Sequence, residues 1–223
     1  MEQLLTANVA TNLLWLGRHL ERVENTLIKV IKAYDEVIDV DKKAGIELYK
    51  NYGIDLEYTS ALGFLRSALL GEHSANIFDI LSNARENAII CRSHIDTDAF
   101  GEIIALHALF ENFSKSSHSF DYKLIDTALS LINEIWGSLS KNEHRKSSDC
   151  FFRLGKLIEE LDFHLRFDVD QAIVSMVISD IDEIMDILSK DIEQDTKPSQ
   201  SQTSDRNEIM NEIHKKVSQI IIG

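Results

Sequence analysis

The chain has 223 residues, 37 acidic and 23 basic, and a formal net charge of −14 at pH 7. That field disfavours nucleic acid and anionic membrane surfaces, which bind proteins through clustered cations that displace counterions. One proline and nine glycines are too few for the many turns of a β-sandwich or barrel, so a compact helical protein is expected.

From residue 7 to residue 39 the apolar residues Leu13, Leu16, Leu20, Val23, Leu27, Val30, Tyr34 and Val37 recur at alternating steps of three and four. That spacing predicts one long amphipathic helix. Residues 41–58 are weaker, with Gly45 and Gly53 as breakers. A second helix is predicted over 59–70, ended by Gly71. A third is capped by Ser74 and carries Ile77, Leu81, Ala84, Ala88, Cys91 and Ile95 on one face. Asp96 or Thr97 caps a fourth, over 98–113, and Ser119 or Asp121 opens a fifth that runs to 139. A sixth covers 149–167. A seventh covers 170–192 with Ile173, Val177, Ile181, Ile184, Leu188 and Ile192 inward. No strand-like alternation persists.

The only proline lies in a polar stretch read as a linker, 194–206. Beyond it, Asp205 and Glu208 fit a capping box, and Met210, Ile213, Val217, Ile220 and Ile221 form a short apolar face. A helix so short is marginal alone in water, so it must dock on its own bundle, a second copy or a partner. The expected architecture is therefore all-α: a bundle of about seven helices over 1–193, the linker, and a tethered C-terminal amphipathic helix over 207–223.

Cys91 and Cys150 are too few for a disulfide framework and suit a reducing compartment. No charged-then-apolar leader opens the sequence, and no run approaches the 18 apolar residues of a membrane span. A cytoplasmic location is expected.

Leu14 to Leu27 reads LWLGRHLERVENTL, and Phe152 to Leu165 reads FRLGKLIEELDFHL. A constant offset of 138 residues pairs Gly17 with Gly155, Arg18 with Lys156, Glu21 with Glu159 and Glu24 with Asp162. The apolar seam follows: Leu13, Leu16, Leu20, Val23 and Leu27 map onto Phe151, Leu154, Ile158, Leu161 and Leu165. A helical seam recurs by chance, but a glycine and two carboxylates at fixed spacing rarely accompany it. The pattern reads as an internal pseudo-repeat of one motif helix.

The segment LGRHLERVENT resembles the signature of the bacterial alpha-E domain, a predicted helical domain with a Glu-Arg motif. NARENA, residues 83–88, is similar to that family's central Ala-Arg-Glu-Asn segment, and FFRLGKLIEELD to its late segment, with Lys156 and Glu160 where the family has arginine. The resemblance spans about residues 7–193. It implies a setting beside an ATP-grasp-type ligase and a transglutaminase-like protein, in ATP-dependent amide-bond formation or peptide modification.

On a helix, Gly17, Glu21, Glu24, Ile28 and Ile31 form a row beside the seam, and Ile28 and Ile31 suggest that the row is partly buried. Gly155, Glu159, Asp162, Arg166 and Val169 form its counterpart. A mid-helix glycine costs roughly 1 kcal/mol against alanine, so two of them point to close approach by another helix or a ligand. Four carboxylates brought together need neutralising. Arg18, Arg22, Lys156 and Arg166 are available, with Arg85 and Arg92, two turns apart on the third helix, able to join. Glu86 and Asn87 complete the motif residues.

Three readings of these rows stand: a buried ion-pair network that fixes register, a polar pocket for a charged ligand such as an amino acid or peptide end, and a carboxylate site for magnesium or manganese. A ferritin-like di-iron centre needs Glu three residues before a histidine on two helices, and none of the eight histidines has an acidic residue there. Phosphate-binding and hydrolase glycine motifs are absent too, and no cofactor or metal is expected. Cys91 is expected to be a packed thiol, and Trp15 and Trp136 core residues. Residues 168–195 hold nine acidic residues and one lysine, a solvated face or a surface for a basic partner. The expected function is that of a non-catalytic scaffold. The alternative is an enzyme or binding protein using Glu21, Glu24, Arg22, Arg85 and Glu159 on a peptide or aminoacyl substrate, and self-association through the last helix is a third possibility.

Overall fold

The computed structural model describes residues 5–115, 123–140, 147–167, 170–191 and 205–222. Among them are nine α-helices and no strand: α1 (Ala7–Asp39), α2 (Ala44–Lys50), α3 (Ala61–Leu70), α4 (Ile77–Cys91), α5 (Thr97–Lys115), α6 (Lys123–Ser140), α7 (Ser147–Arg166), α8 (Gln171–Asp191) and α9 (Arg206–Ile222). The expected start of the fifth helix at Ser119 or Asp121, and nearly all of the expected linker, lie outside the described residues. No described helix is long and apolar enough to cross a membrane.

The helix missing from the sequence reading is α2. Gly45, read as a breaker, lies inside it, because a Cβ there would press on the Phe64 ring and on the Tyr58 hydroxyl. The break falls at Gly53, whose φ of 71° is the left-handed conformation that glycine adopts without strain. Caps follow local chemistry. Ser60 Oγ accepts from the Gly63 amide (3.0 Å) at the start of α3. At α4 the cap is Asn76 rather than Ser74: its carbonyl accepts from the Asp79 amide (3.0 Å). Asp96 caps α5 and Asp205 caps α9.

The chain divides into two compact units, with the boundary inside α1 between Glu21 and Arg22 and inside α4 between Glu86 and Asn87. One unit comprises residues 1–21, 87–95 and 142–223; the other comprises 22–86 and 96–141. In the second, α5 packs on α6, and the core includes Leu27, Val30, Tyr49, Phe64, Leu65, Leu81, Ile103 and Phe110. Tyr49 is fully buried against Phe64 and His73, and burial drives its phenol far above the ordinary range.

In the first unit, α7 packs on α8, and α9 packs on both. Its core joins Leu13 and Leu14 of α1 to Leu154, Ile158 and Leu161 of α7, to the buried stripe of α8 and to Ile209, Ile213, Val217 and Ile220 of α9. The stripe of α8 starts at Val174, not Ile173: Val174, Val177, Ile181, Ile184 and Leu188 are buried, while Ile173 is exposed. Cys91 is buried in this core, its Sγ 3.6 Å from the Val9 carbonyl, and burial pushes its thiol up to about 11. It is a packed thiol.

Candidate functional site

The motif helices α1 and α7 meet at their two glycines. A Cβ on Gly17 would collide with the carbonyl oxygen of Phe152, and a Cβ on Gly155 with the carbonyl oxygen of Leu14. The obstacle in both cases is backbone, so neither helix can yield by turning a side chain. Glycine is there because the helix axes come too close for any other residue. The contacts are reciprocal: the offset of 138 residues converts Gly17 facing Phe152 into Gly155 facing Leu14.

The charges obey the same exchange. Arg18 Nε donates to Glu159 Oε2 at 3.0 Å, and Lys156 Nζ faces Glu21 Oε2 at 3.6 Å. The offset turns one pair into the other. Arg18 and Glu159 are both buried, with side-chain exposures of 8 % and 6 %. The Lys156 side chain is 34 % exposed, and 3.6 Å exceeds hydrogen-bond length. A buried carboxylate without a counter-charge is costly, and each of these has its cation from the opposite helix. The Arg18 guanidinium also sits 4.7 Å from the centroid of Trp15, which is 38 % exposed rather than a core residue.

Asp162 is the third buried carboxylate of this unit. Arg166, one turn on, donates Nη2 to Oδ2 at 2.9 Å. Arg206 of α9 donates Nε (2.8 Å) and Nη2 (2.6 Å) to Oδ1. Burial opposes ionisation of Asp162, but the bonds and charges of Arg166 and then Arg206 outweigh it and hold the carboxyl below its ordinary range. Nothing in the sequence marks Arg206 as part of the motif, since it stands across the linker and only folding carries it there.

The central segment connects to α1 through Asn87. An amide oxygen only accepts, so the His19 Nδ1–H donates to Asn87 Oδ1 (3.0 Å), and the Asn87 amide donates to Asn12 Oδ1 (2.7 Å). Asn12, Trp15 and His19 lie on α1 one turn apart, a polar edge that the carboxylate rows did not suggest.

The remaining expected residues go elsewhere. Glu24, Arg22, Arg85 and Glu86 belong to the second unit. Glu24 accepts a hydrogen bond from Trp136 Nε1 at 2.7 Å, and Arg85 pairs with Glu86. Arg92 follows the end of α4 and is exposed, because the helix stops one residue short of the two-turn spacing that put it beside Arg85. The Gly17 row also leaves the interior: Glu21 is buried, yet Ile28 is 50 % exposed. Three carboxylates of the four thus lie in one unit, beside cations, and the fourth is bonded to an indole. Among the described residues no group of three or more His, Cys, Asp or Glu side chains is arranged to hold a metal ion.

A family model, described as a predicted alpha-helical domain with a conserved ER motif, matches residues 5–192. The chain belongs to the Alpha-E family. The matched span takes in both units and both motif helices and stops at the end of α8, so α9 lies beyond it. The chain has a Glu-Arg step at Glu21 and Arg22, and the unit boundary falls between them. No curated protein and no solved structure gave a match.

Proposed function

We propose that this Alpha-E chain is a non-catalytic accessory or scaffold protein. It acts in the cytoplasm beside an ATP-grasp-type ligase and a transglutaminase-like protein, in peptide synthesis or modification. The partners come from the family resemblance. The non-catalytic part rests on one observation: the buried motif carboxylates of the first unit, Glu21, Glu159 and Asp162, each face a cation. A general base needs a carboxylate within reach of a substrate proton and able to take it. Glu159 is 4 % exposed and bonded to Arg18, so it is built to hold two helices together.

The motif helices are read here as halves of a pseudo-twofold pair. The support is that both the glycine contacts and the ion pairs interchange under a single offset. A surface kept apart from that crossing then carries the partner contact. Co-purification of the chain with the ligase, from 50 to 500 mM salt, tests the proposal; no association at any salt removes it. The substitutions Glu159→Gln and Arg18→Met should reduce association only in step with the loss of folded protein. Loss of association by a variant that keeps its melting temperature would give the pair a direct role.

A further inference from the structure

The described residues contain one helix that lies beyond the family span and still completes its core. Asp205 caps α9, and Ile209, Met210, Ile213, Val217 and Ile220 are buried against α7 and α8. One close ion pair fixes its first turn, where Arg206 reaches the buried Asp162 of α7; further along, Lys216 lies 3.3 Å from Glu212 of its own helix and 4.0 Å from Asp182 of α8, a second and looser pair across the contact. In both pairs α9 supplies the cation and the surface beneath supplies the anion. Residues 192–204 join α9 to α8 through the polar stretch that contains the only proline.

We propose that the face of α7 and α8 under α9 is a helix-binding site, that α9 is its resident occupant, and that the external partner it accepts is an amphipathic helix of the same chemistry. Such a helix carries a guanidinium in its first turn for Asp162. It has apolar residues three, four, seven, eleven and fourteen positions later, and a cation ten positions after the guanidinium for Asp182. Arg206, Ile209, Met210, Ile213, Lys216, Val217 and Ile220 define that pattern. Helix-in-groove recognition reads anchors at this spacing. A short tether holds its own helix at an effective concentration of order millimolar, so the site is closed in the resting chain and opens to a partner that binds more tightly or is delivered locally.

The test uses the full chain with a specific protease site inserted between Pro198 and Ser201. After cleavage, the helix should stay bound at tens of micromolar and leave on dilution, while the rest keeps its helical circular dichroism. A fluorescent synthetic peptide of residues 205–222 should then bind saturably, at least 100-fold more tightly to the cleaved, diluted protein than to the uncut chain. Arg206→Ala in the peptide, or Asp162→Asn in the protein, should weaken binding about tenfold, and Ile213→Asp should abolish it. If the helix never leaves at nanomolar concentration, or its departure unfolds the remainder, α9 is integral core and the proposal fails. Equal binding to cut and uncut protein would place the peptide on another surface and also overturn it.

Discussion

Arg18–Glu159 and Lys156–Glu21 occupy equivalent places where α1 crosses α7, yet they are not equally closed to water. The arginine pair is bonded at 3.0 Å with both side chains buried; the lysine pair stands at 3.6 Å with the lysine a third exposed. Guanidinium is the more weakly hydrated cation and donates through a rigid planar fork, so it tolerates the buried side of the crossing. Ammonium keeps its water on the other. The glycine contacts and ion pairs of the crossing interchange under one offset, but the two places differ in solvation, and the cation at each place matches its solvation.

The sharpest way to break that symmetry is to remove the buried cation. Arg18→Met should destabilise the chain by about 3–5 kcal/mol, because it breaks a buried ion pair by removing one partner and leaves the Glu159 charge in the interior. Arg18→Met with Glu159→Leu should recover most of that loss, and urea denaturation of the single and double variants measures it. Next come the glycines. Gly17→Ala and Gly155→Ala should each cost roughly 2–3 kcal/mol, because the overpacking of two backbones outweighs the gain of about 1 kcal/mol in helix propensity. The two losses should be alike, and a large difference between them would end the pseudo-twofold reading. Lys156→Met should cost less, about 1–3 kcal/mol: Glu21 is buried and loses a cation, but that cation is a third exposed and stands at 3.6 Å. A loss as large as that of Arg18→Met would mean that the two places are solvated alike.

The smallest expected effect is on pH dependence, and it concerns α9. The pKa of His214 is lowered, first by partial burial and then by the Arg18 charge, against the opposing pull of Asp162 and Glu159. A lowered histidine is protonated less readily folded than unfolded, so stability should begin to fall as pH drops below about 6.5. The ring is exposed enough that solvent limits the effect. Asp162 is also lowered, so its contribution is present above about pH 4 and lost as pH falls through its folded value. Urea midpoints between pH 8 and pH 3 should therefore decline in two stages. His214→Gln should flatten the upper stage and Asp162→Asn the lower.

A second comparison shows how far pattern reading reaches. Glu24 and Asp162 are matched by the offset and by their place in the rows, but one accepts from an indole and the other from two guanidiniums. The carboxylate's need for a donor was legible in the row; the identity of the donor was not, because Trp136 and Arg206 lie 112 and 44 residues away. Arg85 and Arg92 show the reverse error. Their spacing assumed a helix that continues to 95, and α4 ends at Cys91. Local propensity also hid α2, since Gly45 reads as a breaker until Phe64 and Tyr58 pack over it.

By itself the sequence determined the helical class, the seams of α1 and α7, the glycine rows and their common offset. All of these are periodicities of a local chain geometry, and a helix writes its buried face into every third or fourth residue. The tertiary structure alone decided that Gly17 and Gly155 face each other's helix, that Arg18 pairs with Glu159 across 141 residues, and that Arg206 returns to Asp162. Those contacts join residues that no local pattern relates. They form because burying the apolar faces brings the helices together, and the charged groups beside those faces must then find partners or remain in water.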